Sequence, residues 1–163
     1  MDHSQAIEIF EEIQARPFNV SLVSGEPSNN CYFKGIELLQ RLGEMGYAVR
    51  GRCGESYWDG SIFGKEIIDL IPENLMTTHF YVEIYLDDSW HILDTSFQPS
   101  LEKYGLTIGA WENGKSCFPI TQLYTQEEYQ EYRKDWFDEA YQKAFFERGL
   151  PLWKALNEWF CGK

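Results

Sequence analysis

Positive charge is scarce in this sequence. Fourteen Lys and Arg stand against 26 Asp and Glu, a net charge of −12 over 163 residues. Such a field repels phosphate backbones and anionic lipid, so neither nucleic acid nor a membrane surface is an expected partner. Long apolar runs are missing too, and no stretch approaches the length of a membrane-spanning helix. The opening MDHSQAIEIFEEIQ is acidic and amphipathic, not basic and then apolar, so it does not read as an export signal. The four cysteines, Cys31, Cys53, Cys117 and Cys161, form no CxxC pair and are too sparse for a disulfide scaffold. They read as reduced thiols of a cytoplasmic protein. Internal repeats and low-complexity tracts are absent as well, which leaves one domain spanning 1–163.

Aromatic residues are plentiful, at 17%, and point to a ring-rich core. Residues 3–15 carry Ala6, Ile9, Phe10 and Ile13 at helical spacing, and Pro17 stops that helix. A second helix is expected to open at Cys31 after the turn-forming SGEPSNN. Ser28, Asn29 and Asn30 are competent caps, Ile36, Leu39 and Leu42 form its apolar face with Phe33 and Leu38 widening it, and Gly43 and Gly46 end it. YAVRGR reads as a short strand, and residues 53–77 as irregular. THFYVEIYL and WHILDTS, joined by DDS, form the clearest hairpin in the chain. Further on, TQEE is a capping box of Thr125 with Glu128. The stripe Tyr129, Tyr132, Trp136, Phe137, Ala140, Tyr141, Ala144 and Phe145 follows and reads as core packing at helical period. Gly149 and Pro151 are expected to close that helix before a last short one bearing Leu152, Leu156, Trp159 and Phe160.

The chemistry lies in the hairpin. With Asp87–Asp88 as a two-residue loop, Leu86 faces Ser89 and Tyr81 faces Asp94. His79 then becomes a same-face diagonal neighbour of Asp94, roughly 7–8 Å away between backbones. Phe80, Val82, Ile84 and Leu86 occupy the opposite, more apolar face. A carboxylate in that position fixes an imidazole's tautomer and supports its charged form. The imidazole in turn can take the proton of a thiol, and a cysteine in the first turn of a helix has its thiolate favoured by the helix dipole. Cys31, His79 and Asp94 thus supply nucleophile, base and orienter.

In that order and spacing, NNCYFKGIELLQRLGEMGYAVRG followed by THFYVEIYLDDSWHILDTSFQP resembles the transglutaminase-like cysteine-enzyme superfamily. The matching positions are Cys31, Lys34, Leu38, Leu39, Val49, Arg50, His79, Tyr81, Val82, Glu83, Trp90 and Asp94. LEKYGLTIGAWENGKS looks like the segment that trails this core in small prokaryotic members. The resemblance covers about residues 25–116, with a helical extension at about 122–161. Tyr81 stands where many members have Trp, and Thr95 where many have Pro; both changes bear on the subfamily and leave the triad intact.

The resemblance implies an α+β, papain-like fold in which the Cys-bearing helix packs on an antiparallel sheet, with C-terminal helices. It implies acyl chemistry on amide or peptide bonds through a Cys31 thioester, with hydrolysis favoured over transfer and a peptide or protein amide as substrate. No cofactor or metal is called for, and no D-x-D-x-D-G calcium run is present. Asn30, Tyr81 and Trp58 are candidate substrate-side residues, Asn29, Asn30 and Trp58 as possible donors to an oxyanion beside the Cys31 N–H. Three rival readings stand next to this one. RGRCGE faintly resembles the nucleophile motif of arylamine acetyltransferases, which would make Cys53 the nucleophile, but it is one residue short and lacks a helix behind it. Cys31, Cys53, His79, His91 and Cys117 have metal-binding chemistry but no zinc-type spacing. The fold could also serve as a silent protein-interaction module.

Overall fold

The organising element is the hairpin. In the computed structural model, which describes residues 3–23, 25–72, 77–135 and 138–163, strand β2 (Thr78–Leu86) turns into β3 (Ser89–Leu93). Asp87 and Asp88 take φ of 48° and 61°. Two consecutive positive φ values make the tight turn whose twist matches an antiparallel pair. Leu86 therefore faces Ser89, and Val82 faces Leu93. Pairing stops at Leu93, three residues short of the strand expected from WHILDTS; beyond it the chain turns so that Ser96 can bond back to Asp94.

Strand β1 (Val49–Ser56) lies on the other side of β2, and a short β4 (Ile120–Leu123) pairs with β1, giving an antiparallel sheet in the order β3-β2-β1-β4. The strand expected from YAVRGR runs on to Ser56, well into the segment expected to be irregular. Two single-turn helices, α3 (Gly60–Phe63) and α4 (Lys65–Ile68), follow it.

Helices α1 (Ser4–Ala15) and α2 (Cys31–Glu44) cover one face of the sheet. Ala6, Ile9, Phe10 and Ile13 of α1, with Leu38 and Leu42 of α2, form one apolar cluster with Phe80, Val82, Ile84 and Leu93. The buried line of α2 runs through Lys34, Gly35, Leu38 and Leu42, while Leu39 is half-buried and Phe33 is 38% exposed. The expected face is thus rotated by about one residue, because Gly35 lets the helix sit directly on the Phe80 ring. A Cβ at Gly35 would lie 2.6 Å from that ring, and one at Gly51 on the other side would lie equally close.

The C-terminal part supplies a second cluster. Helix α5 (Gln126–Asp135) begins with the expected capping box: the Thr125 N–H donates to Glu128, and the Glu128 N–H to Thr125 Oγ1. Helix α6 then runs unbroken from Glu139 to Cys161, through Gly149 and Pro151. The helix expected to end there does not, because Gly149, Leu152, Trp153, Leu156 and Phe160 are all buried on one side of it. That burial outweighs the local cost of proline. Gly149 is required by the Trp153 indole, whose Nε1 lies 2.4 Å from where a Cβ would stand. Leu152, Trp153, Leu156 and Phe160 pack with Phe18, Phe63, Phe97 and Phe118. Trp136 and Phe137 of the aromatic stripe lie outside the described residues. The chain is therefore an α+β protein with two apolar clusters. Among its described residues no helix is long and apolar enough to cross a membrane.

Candidate active site

Cys31 is the first residue of α2, half-buried. Asn30 is extended and caps the helix, its side-chain oxygen accepting the Phe33 N–H at 3.0 Å. The cap satisfies one of the unpaired N–H groups that every helix start carries.

His79 and Asp94 are each 1% exposed. His79 Nε2 donates to Asp94 Oδ2 at 2.6 Å, since an ionised carboxylate can only accept. The opposite ring nitrogen, Nδ1, is buried with no hydrogen-bond partner. Burial pushes the imidazole pKa down, but the Asp94 charge and hydrogen bond, with a further contribution from the Cys31 thiol, raise it to about 10. Burial likewise pushes the Asp94 carboxyl up, and the His79 charge, the His79 hydrogen bond and those from Cys117 and Ser96 outweigh it, holding it below its ordinary value. The two shifts agree in describing a buried imidazolium–carboxylate pair. Cys31 is the sulfur that acts on the ring.

Asp94 is held from every side. Its Oδ1 accepts the Ser96 N–H at 3.0 Å and the Ser96 hydroxyl at 2.6 Å, and its Oδ2 accepts the Cys117 N–H at 2.6 Å. Gly109 passes so close that a Cβ there would stand 1.9 Å from the Asp94 carbonyl oxygen. Lys34, one turn after Cys31, is also buried. Its ammonium donates to the carbonyls of Gln14 (3.3 Å), Arg16 (2.5 Å) and Ser96 (3.1 Å). Burial lowers its pKa to about 8. The Lys34 side chain thereby ties the helix bearing Cys31 to the end of α1 and to the loop bearing Asp94. Of these supporting residues only Lys34 stood out in the sequence, through the family pattern. Ser96 bonds back over only two residues, a local turn that the strand reading of WHILDTS hid. Gly109 and Cys117, the latter read only as a metal-ligand candidate, carried no signal of this role, because contacts across more than a dozen residues of mostly irregular chain leave no periodicity.

Cys31 opens onto a cavity of about 390 Å³. Asn30 and Trp58 also line it, the Trp58 ring meeting Phe63 and Phe118 edge-on, with centroids 4.9 Å away in each case. Tyr81, the third substrate-side candidate, is 6% exposed and absent from the cavity wall; it stacks beside His79 at 6.1 Å and meets Arg52. Cys53 is on the wall, but burial pushes its thiol up to about 12, so it remains a thiol at neutral pH. His91 is turned to the other end of the hairpin, where Nε2 meets the Ser89 hydroxyl at 2.8 Å. Among the described residues no three His, Cys, Asp or Glu side chains are grouped so as to hold a metal ion.

Compared with family models, with curated proteins and with solved structures, the chain matches none.

Proposed function

We propose that this chain is a transglutaminase-like, papain-like cysteine hydrolase that cleaves an amide bond through a thioester on Cys31. One observation carries the reading: a buried His79–Asp94 pair whose ring interacts with Cys31, a cysteine that opens both a helix and a cavity. Supporting it is the layout of the core, in which α2 packs against an antiparallel sheet with the base on one strand and the acid just past the next. A buried ion pair is costly to maintain and contributes little net stability. A silent interaction module has no use for one behind a half-buried cysteine.

The steps follow from the groups present. The reaction starts once the Cys31 proton is held on the His79 ring, with which the sulfur interacts. The thiolate adds to the substrate carbonyl carbon, and the N–H groups at the start of α2 are the donors at hand for the oxyanion. On collapse the C–N bond breaks and His79 gives its proton to the departing amine. Neutral His79 then takes a proton from water, and the hydroxide adds to the thioester. The S–C bond breaks, releasing the acid and restoring the thiolate–imidazolium pair. Asp94 holds the ring in register throughout without taking the proton.

Alkylation by iodoacetamide at pH 6 tests this in a Cys161→Ser background, which removes the exposed thiol. Peptide mapping should show Cys31 reacting at least tenfold faster than a free thiol, and His79→Ala should abolish the advantage. A Cys31 that reacts no faster than glutathione, with no response to His79→Ala, ends the enzyme reading.

A further inference from the structure

We infer that the acyl group received by Cys31 is a bulky, uncharged, apolar one, aryl or medium-chain alkyl, seated in the cavity where the two apolar clusters meet; this rests on the reading of Cys31 as nucleophile.

Position, size and wall chemistry converge. Phe80 belongs to the cluster beneath α1 and α2, Trp153 to the cluster around α6, and both line the same cavity. The space is therefore a seam that neither cluster fills. Tyr129 and Tyr132 of α5, Phe145 of α6 and Trp58 extend the ring-rich wall, with Cys31 set among them. A dry cavity of about 150 Å³ holds one benzene ring, so about 390 Å³ has room for roughly two. That volume lies at the small-molecule end of binding sites and is too small to enclose a run of peptide. Glu26 and Arg133 are the charged side chains on the wall, and the chain as a whole carries −12. With one charge of each sign, the wall gives a charged acyl group no net advantage to offset its loss of water. The Asn30 oxygen is already engaged in capping α2, so the unpartnered Tyr129 hydroxyl and Trp153 Nε1 on the wall can each bond a single polar atom of an otherwise apolar group, while a strongly polar one would lose more water than they replace. The acyl side is also the part that stays on sulfur while amine leaves and water enters, so it is the part that a built pocket serves.

The test is a chain-length series. Acylation of the Cys161→Ser protein by p-nitrophenyl acetate, butyrate, hexanoate and 3-phenylpropanoate is followed by p-nitrophenolate release. Each rate is divided by that of the same ester with N-acetylcysteine. The ratio should rise about three- to fourfold per buried methylene, reaching at least thirtyfold from acetate to hexanoate. Val20→Trp, which places an indole in the cavity from a wall position, should collapse that gain to under threefold. In parallel, Cys31→Ser protein is titrated with octanamide and acetamide, read by the fluorescence of the wall tryptophans; octanamide should bind at least thirtyfold more tightly. A flat ester series with acylation still dependent on His79 overturns this inference and leaves the hydrolase reading standing. Octanamide binding together with acylation that ignores His79→Ala does the reverse: the apolar site stands and the proposed chemistry fails. Failure of octanamide to bind, with a flat series, removes the apolar site altogether.

Discussion

Asp94 is the residue on which the site turns, because it is fully buried and accepts four hydrogen bonds, from His79, Cys117 and twice from Ser96. Asp94→Asn keeps the size but removes the charge that holds His79 protonated, and its amide presents donors to donors. Breaking a buried pair by removing one partner costs about 3–5 kcal/mol, so the urea midpoint should fall accordingly. Acylation of Cys31 should fall by about 10²–10⁴. Ser96→Ala removes only the hydroxyl donor and should cost about 1–3 kcal/mol with a smaller loss of rate. An Asp94→Asn protein equal to wild type in both urea midpoint and acylation would contradict the role given to this residue. His79 and Asp94 could be paired from sequence because a two-residue turn fixes register locally. The Cys117 N–H could not, since it arrives 23 residues later along a path with no repeating pattern.

At the scale of elements, the contact that sets Cys31 is that of α2 on β1 and β2. Phe80 lies between Gly35 and Gly51, each 2.6 Å from its ring measured from a Cβ that is not there. Adding that carbon by Gly35→Ala forces the helix or the ring to move. Overpacking of this kind costs about 1–3 kcal/mol. Cys31 sits one turn earlier on the same helix, so the displacement should also slow its alkylation at pH 6, relative to a denatured control, by several-fold. Unchanged stability and unchanged alkylation together would show that α2 is not held by this contact. The elements of the chain were legible where one rule acted alone: the alternation of β2, the Thr125 capping box, the apolar stripe of α1. They were misread where a tertiary contact overrode a local rule. Pro151 marks a stop, yet α6 continues because Leu152, Trp153 and Leu156 are buried behind it. The α2 face shifted because a glycine, which carries no hydrophobic signal, makes the closest approach.

For the whole molecule, the buried titrating groups dictate how stability varies with pH. His79 binds its proton more tightly in the folded chain, its pKa rising from an ordinary 6.5 to about 10. Its contribution is complete below pH 6.5 and is lost as pH rises toward 10. Lys34 is opposite in sign: burial lowers it from 10.5 to about 8. The folded state sheds that proton first, so stability gains between pH 8 and 10.5. Above the ordinary thiol value of 9.0 the buried thiols take over. Cys53 is raised to about 12 and Cys117 is raised as well, both by burial, so each keeps a proton that the unfolded chain releases. On the acid side, burial pushes the Asp94 carboxyl up but the His79 charge and its hydrogen bonds hold it down, and the Arg16 and Arg41 partners do the same for Glu37. Their contribution is present above their ordinary values and fades as pH falls through the folded ones. The melting temperature should therefore be highest between about pH 4.5 and 6.5. The unfolding free energy, and the melting temperature with it, should fall from 6.5 to 8 with a free-energy slope approaching about 1.4 kcal/mol per pH unit, level off from 8 to 9 where His79 and Lys34 cancel, and drop steeply beyond. His79→Gln isolates the cause. Without the imidazole the fall between pH 6.5 and 8 disappears, and between 8 and 9 stability rises, since the Lys34 gain is no longer opposed. Thermal unfolding at constant ionic strength in both proteins reads this directly. A wild-type curve with no fall between 6.5 and 8, or a His79→Gln curve that superimposes on it, would mean that the imidazole is not held charged in the folded chain, and the ion pair behind Cys31 would have to be given up.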